Sequence, residues 1–404
     1  MNAMKVLVIS AAFPPMKAGE ADHALHLCHR LSERGLDVHV LTTKGNAEVG
    51  SMAFKVHPVM PHWLWPSLPR LASALRSCSP DAVLLIYSDR DYNHHPMITF
   101  ASSISKALSP SVPFVTQLET EYITRQASSI LTRATLKTLA RVAGPKRLDY
   151  VFGTLLSKSD RVIVLSERYR DELAARFGGI GKKIIVIPPP PLLRMCSENG
   201  GGPRRRGREA LGVKPDDFLV GYYGYVYPQK GIETLFKAFK LLNAQRNNTV
   251  LVIVGGTKGE NHTSSYHDEL HRLAARLEIE MKILWTGGYA WSSDEASLYL
   301  RAVDACVFPF KNGVTLNRSS LAAAAAHGLP IITTKGNSLE WPFLHEQNML
   351  LCPPDDPASL ASAIGSLMDN PALRERLRMG ALKLAEEHFS WGKALDRTVE
   401  ALSR

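Results

Sequence analysis

Short apolar runs of β type alternate with amphipathic helical stretches along nearly the whole chain. Lys5–Ser10 reads as a buried strand, Ala21–Arg34 as a helix and Asp37–Thr42 as the next strand. Ala82–Tyr87, Pro113–Leu118, Arg161–Leu165 and Lys183–Ile187 continue the strand series. The rhythm breaks at Pro188–Pro191 and at the Gly- and Arg-rich segment Ser197–Arg208, which reads as an interdomain linker. It restarts with strands at Leu219–Tyr223, Thr249–Val254, Met281–Trp285, Ala305–Phe308 and Pro330–Thr334. Three helical patterns, Ala358–Met368, Leu373–Glu387 and Trp391–Leu402, close the chain. Such alternation predicts two doubly wound α/β domains, each a parallel sheet covered on both faces. Ligands of that architecture bind beyond the carboxyl ends of the strands, here expected in a cleft between the domains.

Composition narrows the class without naming the chemistry. The 404 residues suit two or three domains, and 45% hydrophobic content is enough to build their cores. Lys plus Arg exceed Asp plus Glu by 48 to 38, a net charge of +10 that favours anionic partners. No apolar run approaches the roughly 20 residues that span a bilayer, and Met4–Ile9 is too short for a secretory signal. Five scattered cysteines form no CxxC pair, so neither structural disulfides nor a zinc site is expected, and no metal. A reducing cytoplasm is the expected setting.

Three loops carry candidate chemistry. Ala12–Glu20 joins the first strand to the first helix, and Gly19 would let a phosphate or sugar approach backbone N–H groups. An ordinary βα loop is the alternative, and the dinucleotide fingerprint G-x-G-x-x-G is absent. Tyr222–Glu233 ends at an amphipathic helix, placing Lys230 near a helix start where dipole and ammonium together suit a diphosphate. Phe308–Ser320 offers Arg318 for bidentate phosphate binding, or as a solvated cation, and Ser319 or Ser320 as a cap for the alanine-rich helix.

The order YYGYVYPQKGIETLFKAFKLL, VLVIVGG, LYLRAVDACVFPF, LAAAAAHGLPIITT resembles the second domain of family-4 glycosyltransferases of the GT-B fold. VLVISAAFPPMKAGEADHALHLCHRLSERGLDVHVLT, SDRVIVLSERYRDEL and KIIVIP resemble the first domain. The resemblance implies two Rossmann-like domains facing across a cleft: an acceptor domain at 1–195, a nucleotide-sugar domain at 196–385, and a helix at 386–404 returning to the first. It implies a retaining, metal-independent transfer from a UDP- or GDP-sugar to a hydroxyl acceptor (a saccharide, a lipid-linked or a small molecule), with no further cofactor.

Several family positions differ. Tyr225 stands where the family has an arginine, Leu118 where it has a histidine, and Thr315 and Ala323 where it has two glutamates. Gly313–Arg318 is similar to a divergent branch with G-x-S-x-x-R in place of those carboxylates. The implied catalytic residues are Glu119, Lys230 and Arg318. The implied donor residues are Gly19, Lys230, Tyr289, Thr315, Asn317, Arg318 and Ser319. Tyr92, His94, His95, Gln117 and Glu119 are the acceptor candidates. A degenerate protein that binds a nucleotide-sugar or a partner without turnover is the alternative.

The remaining basic charge has two expected homes. Arg125, Arg133, Lys137 and Arg141 share one arc of a predicted helix that either is a solvated face or rests peripherally on the anionic inner membrane face. The aromatic loop His62–Pro66 either dips into lipid or packs. Arg204–Arg206 and Arg208 read as a flexible basic linker, and no nucleic-acid-binding module is recognisable.

Overall fold

A computed structural model describes residues 3–46, 53–120, 151–197, 201–256, 263–337 and 339–403. The predicted basic helix around Arg125–Arg141, and Glu121 beside it, lie outside these residues. The chain divides into two compact units, Met1–Pro188 with Gly392–Arg404, and Pro189–Trp391.

The first unit holds a seven-stranded parallel sheet in the order β3-β2-β1-β4-β5-β6-β7. Its strands are β1 (Lys5–Ile9), β2 (Asp37–Thr43), β3 (Lys55–Met60), β4 (Ala82–Tyr87), β5 (Phe114–Leu118), β6 (Arg161–Val164) and β7 (Ile184–Val186). α1 (Gly19–Glu33), α2 (Leu68–Cys78), α3 (Ala101–Leu108) and α4 (Glu167–Arg176) connect or cover them. β1 and β4 are buried almost throughout, which is why both read as continuous apolar runs. The sequence pattern misses β3, whose KVHPVM is half-exposed and contains a proline, as suits an edge strand. Trp63 of the aromatic loop is buried and donates its indole N–H to Thr43 Oγ1 at 2.8 Å, while Trp65 packs edge-on against His95 and Phe100. That loop packs.

The second unit holds six parallel strands in the order β10-β9-β8-β11-β12-β13. They are β8 (Phe218–Tyr223), β9 (Thr249–Val254), β10 (Ile283–Gly287), β11 (Ala305–Phe308), β12 (Ile331–Thr334) and β13 (Leu350–Cys352). Its helices are α5 (Gly201–Leu211), α6 (Ile232–Asn243), α7 (Thr263–Arg276), α8 (Glu295–Ala302), α9 (Ser319–Ala326), α10 (Pro357–Asp369) and α11 (Pro371–His388). α12 (Trp391–Ser403) closes the chain, and in the first unit Arg34 donates to Asp396 on it at 2.6 Å. No helix among the described residues is long and apolar enough to cross a membrane.

One expectation is overturned here. The Gly- and Arg-rich stretch forms α5 from Gly201 onward and is not a linker. Pro203 falls in the first turn, where a missing N–H costs nothing. Gly207 faces α8 so closely that a Cβ would lie 2.3 Å from the Leu298 carbonyl oxygen. Arg204 and Arg208, one turn apart, both bond Asp304 at the head of β11. Composition that looks like a flexible tether is therefore a packing surface with one buried cation, Arg208.

Each sheet has a switch point, between β1 and β4 and between β8 and β11, where connections leave to opposite sides. The loops leaving those strand ends diverge and open a crevice for a ligand.

Candidate functional site

At the second sheet's switch point, glycines let the loops close on one another. Gly231 has φ 71°, and a Cβ there would sit 2.0 Å from the Pro309 carbonyl oxygen. This contact seats the turn Pro228–Lys230, at the head of α6, against the loop leaving β11.

The seating brings two cations to one ring. Lys230 is 8% exposed, with Nζ 5.1 Å from the Tyr227 ring centre and 4.9 Å from that of Phe310. Arg318 Cζ lies 4.8 Å from the same Phe310 ring. Each cation meets the negative face of an aromatic quadrupole. Arg318 is also the N-cap residue of α9, and no side chain caps that helix. Ser319 and Ser320 are therefore its first two residues and not its cap. The α9 N-terminus, with uncapped N–H groups and a guanidinium beside it, is suited to an anion.

The donor candidates Thr315, Asn317 and Tyr289 sit on loops that leave the carboxyl ends of β11 and β10 in the same sheet. Buried Thr315 donates to Asn317 Oδ1, and the Leu316 amide donates to buried Glu340 Oε2 at 2.8 Å. Tyr289 donates its hydroxyl to that of Tyr223 at 2.6 Å, the two rings stacking at 6.1 Å. Ala323, at one of the missing carboxylate positions, is fully buried, and its carbonyl accepts from His327 Nδ1 at 2.7 Å.

In the first unit, Glu119 follows β5 and meets His23 of α1, 2.9 Å from Nδ1, while Gln117 Nε2 donates to it at 2.6 Å. The His23 and Glu119 side chains are each only 6% exposed. Burial opposes charge on the imidazole, but Glu119's charge and hydrogen bond, with Glu20, outweigh it and raise the pKa above 6.5. Facing a carboxylate, Nδ1 carries the proton, which leaves Nε2 without a partner among the described residues.

Tyr92 is 1% exposed, and its hydroxyl donates to the Ile86 carbonyl at 2.9 Å and accepts from the Ala11 amide at 3.3 Å. It ties the loops after β1 and β4 together and presents nothing to an acceptor. His94 is exposed at φ 56° and pairs with Asp89 at 2.6 Å. His95 accepts from the Met97 amide at 3.2 Å and caps the turn Pro96–Phe100. The first-unit cluster is thus Gln117, Glu119 and His23. Gly19 starts α1 with open space where a Cβ would be, yet Glu20 and Asp22 occupy that first turn. Those two carboxylates already complement the helix dipole and oppose an incoming anion.

Sequence reasoning missed His23, Phe310 and Glu340. His23 sits four residues after Gly19 on the buried face of α1, a spacing indistinguishable from core packing. Phe310 reads as one more apolar residue.

Two parallel-sheet units, each with its crevice at a switch point, define the GT-B architecture. Solved structures agree over nearly the full length. Anabaena Alr3699/HepE in complex with UDP and glucose matches at TM-score 0.74 and 18% identity, covering 99% of both chains. WaaG, a glycosyltransferase involved in lipopolysaccharide biosynthesis, matches at 0.68 and 17%, covering 97% of this chain and 99% of that one. The model for Glycosyltransferase Family 4 matches residues 18–190, and that for Glycosyl transferases group 1 matches 203–383. The chain belongs to the family-4-like glycosyltransferases of the GT-B fold. Among curated relatives, D-inositol 3-phosphate glycosyltransferase 1 of Catenulispora acidiphila is 28% identical over 247 residues, 60% of this chain and 57% of that protein. Lipopolysaccharide core biosynthesis glycosyltransferase LpsD of Rhizobium meliloti is 28% identical over 197 residues, 49% and 52% of the two chains. The chain spans about half the length of the curated relatives it matches.

Proposed function

We propose that the protein is a retaining, metal-independent glycosyltransferase that moves a hexose from a UDP- or GDP-sugar to a hydroxyl of a saccharide, lipid-linked or small-molecule acceptor. The observation that carries this reading is the convergence of Lys230 and Arg318 on one ring beside the uncapped start of α9. The chemical demand of sugar transfer is to hold a departing diphosphate, and fixed cations with N–H donors stabilise that developing charge. Neutralisation is assigned to Lys230, Arg318 and the Ser319 helix start. Thr315 and Asn317 border the sugar, and Tyr289 with Tyr223 borders the base. In the first unit, Gln117, Glu119 and His23 bind the acceptor hydroxyl, whose proton passes to the donor's own phosphate as the bond to the diphosphate breaks. The HepE complex with UDP and glucose and the relatives named as glycosyltransferases support this assignment by likeness.

A second reading, ligand binding without turnover, is favoured by the missing carboxylates, since buried Ala323 leaves no acid at its position. Purified protein screened against UDP-, GDP- and TDP-sugars by thermal shift, then for donor hydrolysis and transfer, separates the two. Stabilisation with neither hydrolysis nor transfer selects the second reading. No stabilisation by any of them refutes the donor-site assignment. Lys230→Ala should weaken nucleotide-sugar binding, and unchanged affinity would remove the role given to that lysine.

A further inference from the structure

The two cations assigned to the diphosphate come from different loops, Lys230 after β8 and Arg318 after β11, and both lie against one side chain that bears no charge. Phe310 is 1% exposed and stacks on Phe308 with ring centres 5.5 Å apart. Its amide donates to the Phe308 carbonyl at 2.9 Å, and its own carbonyl accepts from the Thr334 hydroxyl. Backbone and ring are therefore held from several directions, while Lys230 at 4.9 Å and Arg318 at 4.8 Å lie against the ring. Like charges repel, so two cations that lie against one ring need an attraction that holds them there. A ring quadrupole attracts each of them and holds both beside that ring before any anion arrives. Arg318 Nε, moreover, is buried with no hydrogen-bond partner among the described residues, a donor that the protein itself leaves unused.

We propose that Phe310 is a positioning residue that gathers Lys230 and Arg318 into a preformed receptor for the diphosphate of the nucleotide-sugar. This inference rests on the donor-site reading above. Its content is that affinity for the diphosphate depends on the π-face of Phe310 as well as on its bulk, because the ring spares the ligand the cost of ordering two flexible cations. An aliphatic residue would fill the space and remove the aromatic face that both cations share.

The test is titration calorimetry of UDP, GDP and inorganic pyrophosphate into wild type, Lys230→Ala, Phe310→Leu, and protein carrying 3,4,5-trifluorophenylalanine at position 310. Fluorination keeps the shape of the ring and removes its quadrupole, so a purely structural role would leave binding and melting temperature unchanged. The expected result is about tenfold weaker binding of the nucleotides and of pyrophosphate in both ring variants, from two cation–π contacts of ordinary strength. The fluorinated protein should melt where wild type does. If Lys230→Ala weakens binding while the fluorinated protein binds as wild type does, the positioning role is overturned and the donor site stands. If wild type binds none of the three probes, or Lys230→Ala leaves binding unchanged, the donor-site reading fails and this inference with it.

Discussion

Replacing Arg208 by methionine keeps most of its apolar stem and removes the guanidinium from the joint between α5, the start of β8 and the head of β11. Arg208 is 7% exposed. One terminal nitrogen donates to the Ala302 carbonyl at 3.2 Å and to Asp304 at 3.3 Å, the other to the Lys214 and Asp217 carbonyls at 2.6 Å each. Removing one partner of a buried pair typically costs about 3–5 kcal/mol, because the remaining charge and acceptors stay buried without compensation. Asp304 keeps Arg204 and the Leu219 amide, so the loss should fall near the lower end, about 3 kcal/mol. With a urea slope of about 2–3 kcal/mol per molar for a unit of this size, the midpoint should drop by about 1–1.5 M. Denaturation followed by tryptophan fluorescence reads this unit through Trp285, Trp291, Trp341 and Trp391, fitted as a transition separate from that of the first unit. Arg205→Met, whose side chain is 77% exposed, is the control and should move the midpoint by less than about 0.3 M. If the two substitutions shift the midpoint equally, the buried-cation account of α5 is wrong.

Three further outcomes follow from the same geometry. Gly231→Ala should destabilise the second unit by about 2–4 kcal/mol, because a left-handed backbone alone costs about 1–2 and the Cβ also meets the Pro309 carbonyl. Gly212→Ala, at φ 64° with open space around it, should show the backbone part alone, and equal urea midpoints would contradict the contact argument. His23 has a raised folded pKa, so its pairing with Glu119 stabilises fully below pH 6.5 and is lost as pH rises through the folded value. The stability gap between wild type and Glu119→Gln should therefore be wider at pH 6 than at pH 8.5, and a constant gap would argue against the pair. Burial holds His327 neutral, with its pKa lowered to about 4, its Nδ1 donating to Ala323 and its Nε2 accepting from Ser297 at 2.7 Å. The unfolded chain takes up that proton first, so the second unit should lose on the order of 3 kcal/mol between pH 6.5 and pH 4. His327→Gln should flatten this part of the pH profile, and superimposable profiles would exclude His327 as its source.

Local patterning determined much of this protein. Apolar runs such as Lys5–Ile9 and Thr249–Val254 read as buried parallel strands, and their alternation with helices predicted two doubly wound sheets. The loops after β8 and β11 were recognisable as candidate anion sites, because a lysine near a helix start and an arginine ahead of an alanine-rich helix are local features. Tertiary structure alone decided what those residues share. Phe310 looked like any apolar residue until both cations were seen against it. His23 and Glu119 stand 96 residues apart, and Arg208 and Asp304 stand 96 apart as well, so no window of the chain contains either pair. The reason is topological. In a parallel sheet each crossover returns the chain to the same end, so segments distant in sequence are collected at the carboxyl ends of the strands, where His23 meets Glu119, and at their amino ends, where Arg208 meets Asp304. Periodicity records which face of an element is buried, and it carries no information about which distant side chain will be met there.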